Sequence, residues 1–280
     1  MPPIIALLTD FGLADAYVGI MKGVMLGVCP TARLVDLTHD IQPQNVRQAA
    51  YVLLTAYRFF PPDTVFLVVV DPGVGTARAP IAVETAYGRF VAPDNGVLSY
   101  VLQETPPRQV VTLTERRFHL PEVSQTFHGR DIFSPVAAHL AQGTPLTAFG
   151  PLRENLVTLP PPRLSGDAGQ IVGEVLHIDR FGNLITSIGR LTWENEERLQ
   201  FSPRFGAQIN VSVALAATAC RVQIGGYHAG PIRRTYGAVP AGEVAALVGS
   251  AGQLEIGVNQ GNAADLLGAA IGDPVVLHLA

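Results

Sequence analysis

The chain has 280 residues, 48% of them hydrophobic and 15% charged, with a formal net charge of −4. That length admits two domains or one large one, and so low a charge content leaves apolar surface for a sizeable core and a subunit interface. The charge balance and the lack of any basic run exclude nucleic acid and anionic membrane surfaces as expected partners, and no apolar stretch is long enough to span a membrane.

The start, MPPIIALLTD, lacks a positive leader region and reads as a first strand, Ile4–Leu8, rather than a signal peptide. Ala16–Val28 reads helical, Arg33–Asp36 as a short strand, and Asn45–Phe59 has helical spacing of apolar residues. Six apolar, mostly β-branched residues, Val65–Val70, then form a buried strand. This βαβαβ order predicts an α/β domain over 1–160 with a mostly parallel sheet. The stiff, turn-rich stretch 159–167, with Pro160–Pro162 in it, is the expected boundary. From 168 to 280 short strands alternate with Gly, Asn and Pro: IVGEVLHID, LITSI, QINVSV, CRVQI, EVAALVG, QLEIGV and PVVLHL. They predict a smaller all-β, barrel-like domain. A short helical turn is expected over Gly261–Leu267. The two cysteines, Cys29 and Cys220, make no disulfide framework, and a cytoplasmic protein is the expectation.

Chemistry-bearing residues gather where strands end. Asp71 closes the Val65–Val70 strand in Asp71-Pro72-Gly73, and Arg78 follows seven residues on, across a loop containing Gly75. In open α/β sheets ligands bind at that end of the strands, although Asp71 could equally cap its turn and pair with Arg78. Asp10 ends the first strand, where a carboxylate can bridge two hydroxyls of a diol or cap the helix that follows. Asp15 lies one loop further on. His128, beside Gly129 and just before a helix-like run, can reach a ligand or be a structural histidine; Arg130-Asp131 reads as a local pair. Asp179, Phe181 and Asn183 stand at i, i+2 and i+4. A ring and an amide so placed suit a purine, and a hairpin with Gly182-Asn183 as its turn is the alternative.

Missing motifs discriminate too. There is no G-x-x-x-x-G-K-[ST], no G-x-G-x-x-G after the first strand and no G-x-S-x-G, which counts against P-loop phosphoryl transfer, a dinucleotide cofactor and a serine hydrolase of that design. Asp10, His39, Asp40, Asp71, His128 and Asp131 could ligate a metal by type. No spaced His pair supports one, and Arg78 near Asp71 opposes a cation, so no metal is expected.

Five segments in order, TDFG (Thr9–Gly12), DPGVGTAR (Asp71–Arg78), APDNG (Ala92–Gly96), FHGRDIFSP (Phe127–Pro135) and IDRFGN (Ile178–Asn183), resemble the S-adenosyl-L-methionine (SAM) hydrolases. These are also called SAM hydroxide adenosyltransferases and are relatives of the SAM-dependent fluorinase and chlorinase. The resemblance runs from Ile5 to about Val276. It implies an α/β N-terminal domain, a β-barrel C-terminal domain, and a homotrimer whose active sites lie at subunit interfaces. It implies catalytic roles for Asp71, Arg78 and His128. It places Asp10 on the ribose, Phe181, Asn183, Tyr236 and the Val258 backbone on adenine, and Asp15, Asp179 and Ser250 on the methionine end. No cofactor is implied, SAM being the substrate. Two departures from the halogenating relatives favour hydrolysis: Ala251 follows Ser250 where they often carry arginine, and only fifteen residues separate Arg78 from Asp94, so the fluorinase's extra loop is absent.

The expected reaction is attack of an activated water at C5′, giving adenosine and L-methionine. A SAM-dependent halogenase and a non-catalytic adenosine- or SAM-binding protein are the alternatives. The binding protein has no evident use for Asp71, Arg78 and His128.

Overall fold

The computed structural model describes residues 2–167, 169–205 and 213–279. The chain divides into two compact units, Met1–Leu159 and Pro160–Ala280.

In the first unit β1 (Ile4–Thr9), α1 (Tyr17–Val28), β2 (Arg33–Thr38), α2 (Val46–Ala56) and β3 (Val65–Val69) alternate. Then come β4 (Pro80–Thr85), β5 (Arg89–Pro93), α3 (Ser99–Glu104), β6 (Pro107–Thr112) and α4 (Ser134–Ala141). The strands form one sheet in the order β2-β1-β3-β5-β4-β6. Its first four are mutually parallel, as the sequence pattern predicts, while β4 pairs antiparallel with both β5 and β6. Only Ala86–Gly88 joins β4 to β5, too short for the crossover that parallel pairing demands. The sheet is therefore mixed.

β1 and β3 are apolar along nearly their whole length because helices cover both faces. α1 buries Val18, Met21 and Met25, spaced three and four apart, and packs beside α4. Asn45 starts α2 by accepting a hydrogen bond from the Gln48 N–H, and the helix buries Ala49, Ala50, Leu53 and Leu54. Asp10 therefore caps neither helix.

The second unit is almost all strand. It contains β7 (Ser165–Gly166), β8 (Gln170–Ile178), β9 (Leu184–Gly189), β10 (Leu191–Trp193), β11 (Arg198–Phe201) and β12 (Val213–Ala216). β13 (Arg221–Ile224), β14 (Tyr227–Ala229), β15 (Ile232–Arg233), β16 (Val244–Val248), β17 (Gln253–Val258), α5 (Ala263–Leu267) and β18 (Pro274–His278) follow. The main sheet runs β14-β13-β18-β8-β9-β17-β16-β15, with β7 on β8; β14 approaches β16, so the sheet nearly closes on itself. Its core includes Val175, Ile188, Leu254 and Ile256. The strand expected at 208–213 lies outside the described residues except for Val213, which opens β12. No helix among the described residues is long and apolar enough to cross a membrane.

One glycine ties the fold to the site. Gly75, at φ +76°, sits in the loop between β3 and β4, and a Cβ there would stand 2.5 Å from the backbone oxygen of Gln125. Gly75→Ala should cost about 1–3 kcal/mol through the left-handed backbone alone. It should also push the loop of Arg78 away from the loop of His128. Thermal unfolding and turnover, measured together, should both fall; wild-type values for both would contradict this close approach.

Candidate active site

β1 and β3 are neighbours in register, Leu8 opposite Val68 and Thr9 opposite Val69. Parallel strands ending together deliver Asp10 and Asp71 to the same edge of the sheet. A cavity of about 300 Å³ opens there, lined by Asp10, Phe11, Gln44, Asp71, Phe127 and His128 among others. Residues 10, 71 and 128, far apart in sequence, thus share one site.

Arg78 ties two of its residues, Asp71 and His128, together. Its Nε lies 2.9 Å from both oxygens of Asp71, and its Nη2 makes a further short bond to Asp71 Oδ2. The same Nη2 lies 3.0 Å from His128 Nδ1. The guanidinium also stands over the face of Phe133, 5.1 Å from the ring centre. The ion pair is nearly enclosed, with side chains 9% (Arg78) and 6% (Asp71) exposed, so solvent screens it little.

This geometry decides the histidine's tautomer. A guanidinium can only donate, so Nδ1 of His128 must accept and the neutral ring carries its proton on Nε2. Burial first, and then the charge of Arg78, push the His128 pKa below its ordinary value. The ring thus offers an N–H donor rather than a basic lone pair at Nε2.

The backbone that holds His128 is firmly tied. His128 precedes a π-helical turn, Gly129–Phe133, that runs straight into α4. Asp131 in that turn is fully buried, accepts from the Ser124 N–H at 2.8 Å and pairs with Arg130, the local role its position predicts. Gly129 lets the chain pass Met21, Phe127 and Phe11, and the rings of Phe11, Tyr17 and Phe127 meet edge to face or tilted.

Asp10 points one oxygen, Oδ2, at the Gln44 N–H, 2.7 Å away. That bond orients the carboxylate and leaves Oδ1 for another donor. Asp15 is exposed in the loop before α1 and does not line this cavity. His39 is taken up by Thr9 and Asp36, and among the described residues no three His, Cys, Asp or Glu side chains gather as a metal site.

The second unit carries a larger pocket of about 830 Å³, which brings together Asp179, Phe181, Asn183, Tyr236, Ser250 and Val258. Asp179 organises its loop: Oδ1 accepts from the backbone N–H of Phe181 and of Asn183, and Oδ2 from Asn183 Nδ2, each at 2.9 Å. Gly182, at φ +83°, sits so close to Asn262 that a Cβ would overlap its amide. The segment is the loop of the antiparallel β8–β9 hairpin, turned at Arg180-Phe181, where the Gly182 N–H donates to the Asp179 carbonyl, rather than at Gly182-Asn183, and it leaves Phe181 74% exposed.

Glu255 is a residue the sequence reading missed. It is buried at 8% exposure, lines the pocket and accepts a short hydrogen bond from the Tyr236 hydroxyl. Burial first, with the nearby charge of Asp179, raises the Glu255 pKa although the Tyr236 bond opposes the shift. Burial and then Glu255 itself push the Tyr236 hydroxyl well above its usual range. The signal was present in QLEIGV: Leu254, Ile256 and Val258 alternate into the core, which turns Glu255 to the other face. Phe133, under Arg78, was likewise passed over.

An Asp–Arg–His cluster at the strand tips of an α/β unit, followed by a barrel-like unit with an acid- and amide-lined pocket, defines the class. The chain belongs to the SAM hydroxide adenosyltransferase family: residues 5–150 match the model of its N-terminal domain and residues 173–276 that of its C-terminal domain. It is 41% identical over 281 residues to the (R)-S-adenosyl-L-methionine hydrolase of Thermus thermophilus, covering 96% of this chain and 97% of that protein. The hydrolase of the same name from Salinispora tropica is 42% identical, with 97% and 96% covered. A fluorinase from an Actinoplanes species is more distant, 32% identical over 69% of this chain and 74% of its own. The crystal structure of a conserved protein from Thermotoga maritima superposes with a TM-score of 0.84 at 37% identity, covering 98% of this chain and 99% of its own.

The lowered His128 pKa fixes a pH dependence. The unfolded chain takes up a proton on this ring at the ordinary histidine value, while the folded chain resists until lower pH. Stability from neutral His128 is therefore full above the ordinary value and is lost as pH falls from there to the lowered one. His119, His139 and His177 shift the same way, chiefly through burial, so the ring must be read individually. By NMR, His128 should titrate below the ordinary value in the wild type and move upward in Arg78→Gln. An unchanged titration in the variant would contradict the Arg78–His128 contact.

Proposed function

We propose that this protein hydrolyses SAM to adenosine and L-methionine, with water held by Arg78 and His128 attacking C5′. The observation that carries the reading is the Arg78 guanidinium bonded at once to Asp71 and to His128 Nδ1, two residues that line a cavity with Asp10. The relatives' names specify the (R) form of SAM, and we extend that form to this chain as its substrate.

The sulfonium is already positive, so its departure as neutral methionine needs no general acid. What the reaction lacks is an ordered oxygen nucleophile, and Arg78 with the His128 Nε2–H supplies two donors that favour hydroxide character. Asp71 orients Arg78 and balances its charge. The water oxygen bonds to C5′, the C5′–S bond breaks with its electron pair staying on sulfur, and one proton is released. The step uses no metal and no cofactor.

In the same proposal Asp10 Oδ1 meets the ribose hydroxyls. Phe181, Asn183, Tyr236 and the Val258 backbone receive adenine, and Asp15, Asp179 and Ser250 lie toward the methionine end. We place the active protein in the cytoplasm, with Cys29 and Cys220 free and buried, as a homotrimer. In it the pocket of the first unit is completed by the second unit of a neighbouring subunit.

Two experiments test this. Alanine at Asp71, Arg78 or His128 should each lower turnover by about 10²–10³-fold while SAM binding, measured by calorimetry, changes far less. Three variants with near-normal turnover would remove these residues from the chemistry; a chloride-dependent 5′-chloro product would favour halogenation, and tight SAM binding without product a sensor. For the assembly, inactive His128→Ala and Asn183→Ala chains, unfolded and reassembled together, should regain activity because some interfaces then join two intact halves. Verified mixed oligomers without any activity would contradict the shared site.

A further inference from the structure

We infer that Asp179 is a positioning residue that locks the amide of Asn183 in one orientation and so makes the pocket select a 6-aminopurine over a 6-oxopurine. This rests on the adenine role given to Asn183 above, and it gives Asp179 a task other than meeting the methionine end.

The argument begins with the donors. A carboxylate offers lone pairs and no hydrogen, so whichever amide atom faces Asp179 Oδ2 at 2.9 Å must be Nδ2. Turning the amide over would set two oxygens against each other. The carboxylate cannot swing away to allow it, because its other oxygen holds the Phe181 and Asn183 N–H groups. Asn183 is 7% exposed, and its carbonyl oxygen is left facing the bare backbone of Gly257: a Cβ there would come within 2.8 Å of Oδ1 and within 2.5 Å of the Tyr236 ring. Gly257 thus lets the Asn183 amide and the Tyr236 ring pack directly on the backbone. Tyr236 cannot substitute as a donor to the base, since its hydroxyl is bonded to Glu255.

The pocket therefore presents a fixed acceptor, Oδ1, and beside it the second Nδ2 hydrogen. An adenine edge matches both, its 6-amino group donating to Oδ1 and N7 accepting from Nδ2. Hypoxanthine puts a carbonyl oxygen at the same place, facing Oδ1 with no hydrogen between them, and a site built for a hydrogen bond rejects a ligand that leaves it unmade. In Asp179→Asn the amide oxygen must keep the two backbone N–H groups, so its Nδ2 faces Asn183, turns that amide over and puts a donor where the 6-amino group would sit.

The test is calorimetry of adenosine and inosine with the full-length protein. The wild type should bind adenosine about 10–100-fold tighter than inosine, and Asp179→Asn should bring that ratio down to about unity or below it. A wild type that binds both alike overturns the inference. So does an Asp179→Asn variant that keeps the wild-type ratio while losing affinity for SAM or methionine, the result expected if Asp179 serves only the ammonium group. Should the variant not fold, the wild-type side-chain amide decides: one Asn183 Nδ2 proton protected from solvent exchange supports the lock, and two rapidly exchanging protons overturn it. Selective adenosine binding without SAM hydrolysis would support this inference while refuting the reaction proposed above.

Discussion

The Arg78 guanidinium joins two loops whose key residues stand fifty positions apart, and the geometry of the first unit's cavity depends on that joint. On one side it is clamped by Asp71, at the tip of a buried parallel strand. On the other it fixes the ring of His128, at the head of a helical segment. Phe133 closes the remaining face. Because both charges are nearly enclosed, removing either partner would strand the other, at a cost of about 3–5 kcal/mol. The arrangement ties the two loops together and holds Asp71 and His128, whose neutral ring carries its proton on Nε2, in the wall of one cavity.

In the proposed reaction the two pockets answer different needs of one substrate. The cavity in the first unit has donors and a carboxylate suited to water and a diol. The pocket in the second has an exposed ring, a locked amide and two acids, Asp179 and Glu255, with no lysine or arginine lining it. A cationic sulfonium bearing a nucleoside matches that inventory, and the neutral products match it less well. The charge difference between substrate and products thus works in the direction of release.

Much of this was legible in the sequence because strand ends are local features. Val65–Val70 followed by Asp-Pro-Gly marks a buried strand with an acid at its tip, and the Asp71–Arg78 pair needs only a short loop. Placing His128 beside Arg78 requires the tertiary fold, and only the family resemblance brought it in. The β-rich run Ile81–Thr85 marks β4, but its antiparallel direction was hidden because such runs look alike in either direction. Asp10 read as a diol ligand or a helix cap because the partner of its Oδ2, a backbone N–H at Gln44, leaves no trace in residue type. Asp179 likewise read as a ligand group, yet three of its hydrogen bonds stay within its own loop. Glu255 passed unnoticed because a single acid in a strand ordinarily faces solvent.

The account stands on where the new bond forms. With the (R) form of SAM as substrate in water enriched in oxygen-18, mass spectrometry of the products should find the label in the 5′-hydroxyl of adenosine and none in methionine. Label in homoserine, with 5′-methylthioadenosine as its companion, would mean that attack occurs on the methionine side of sulfur and that the water held by Arg78 and His128 is not the nucleophile at C5′.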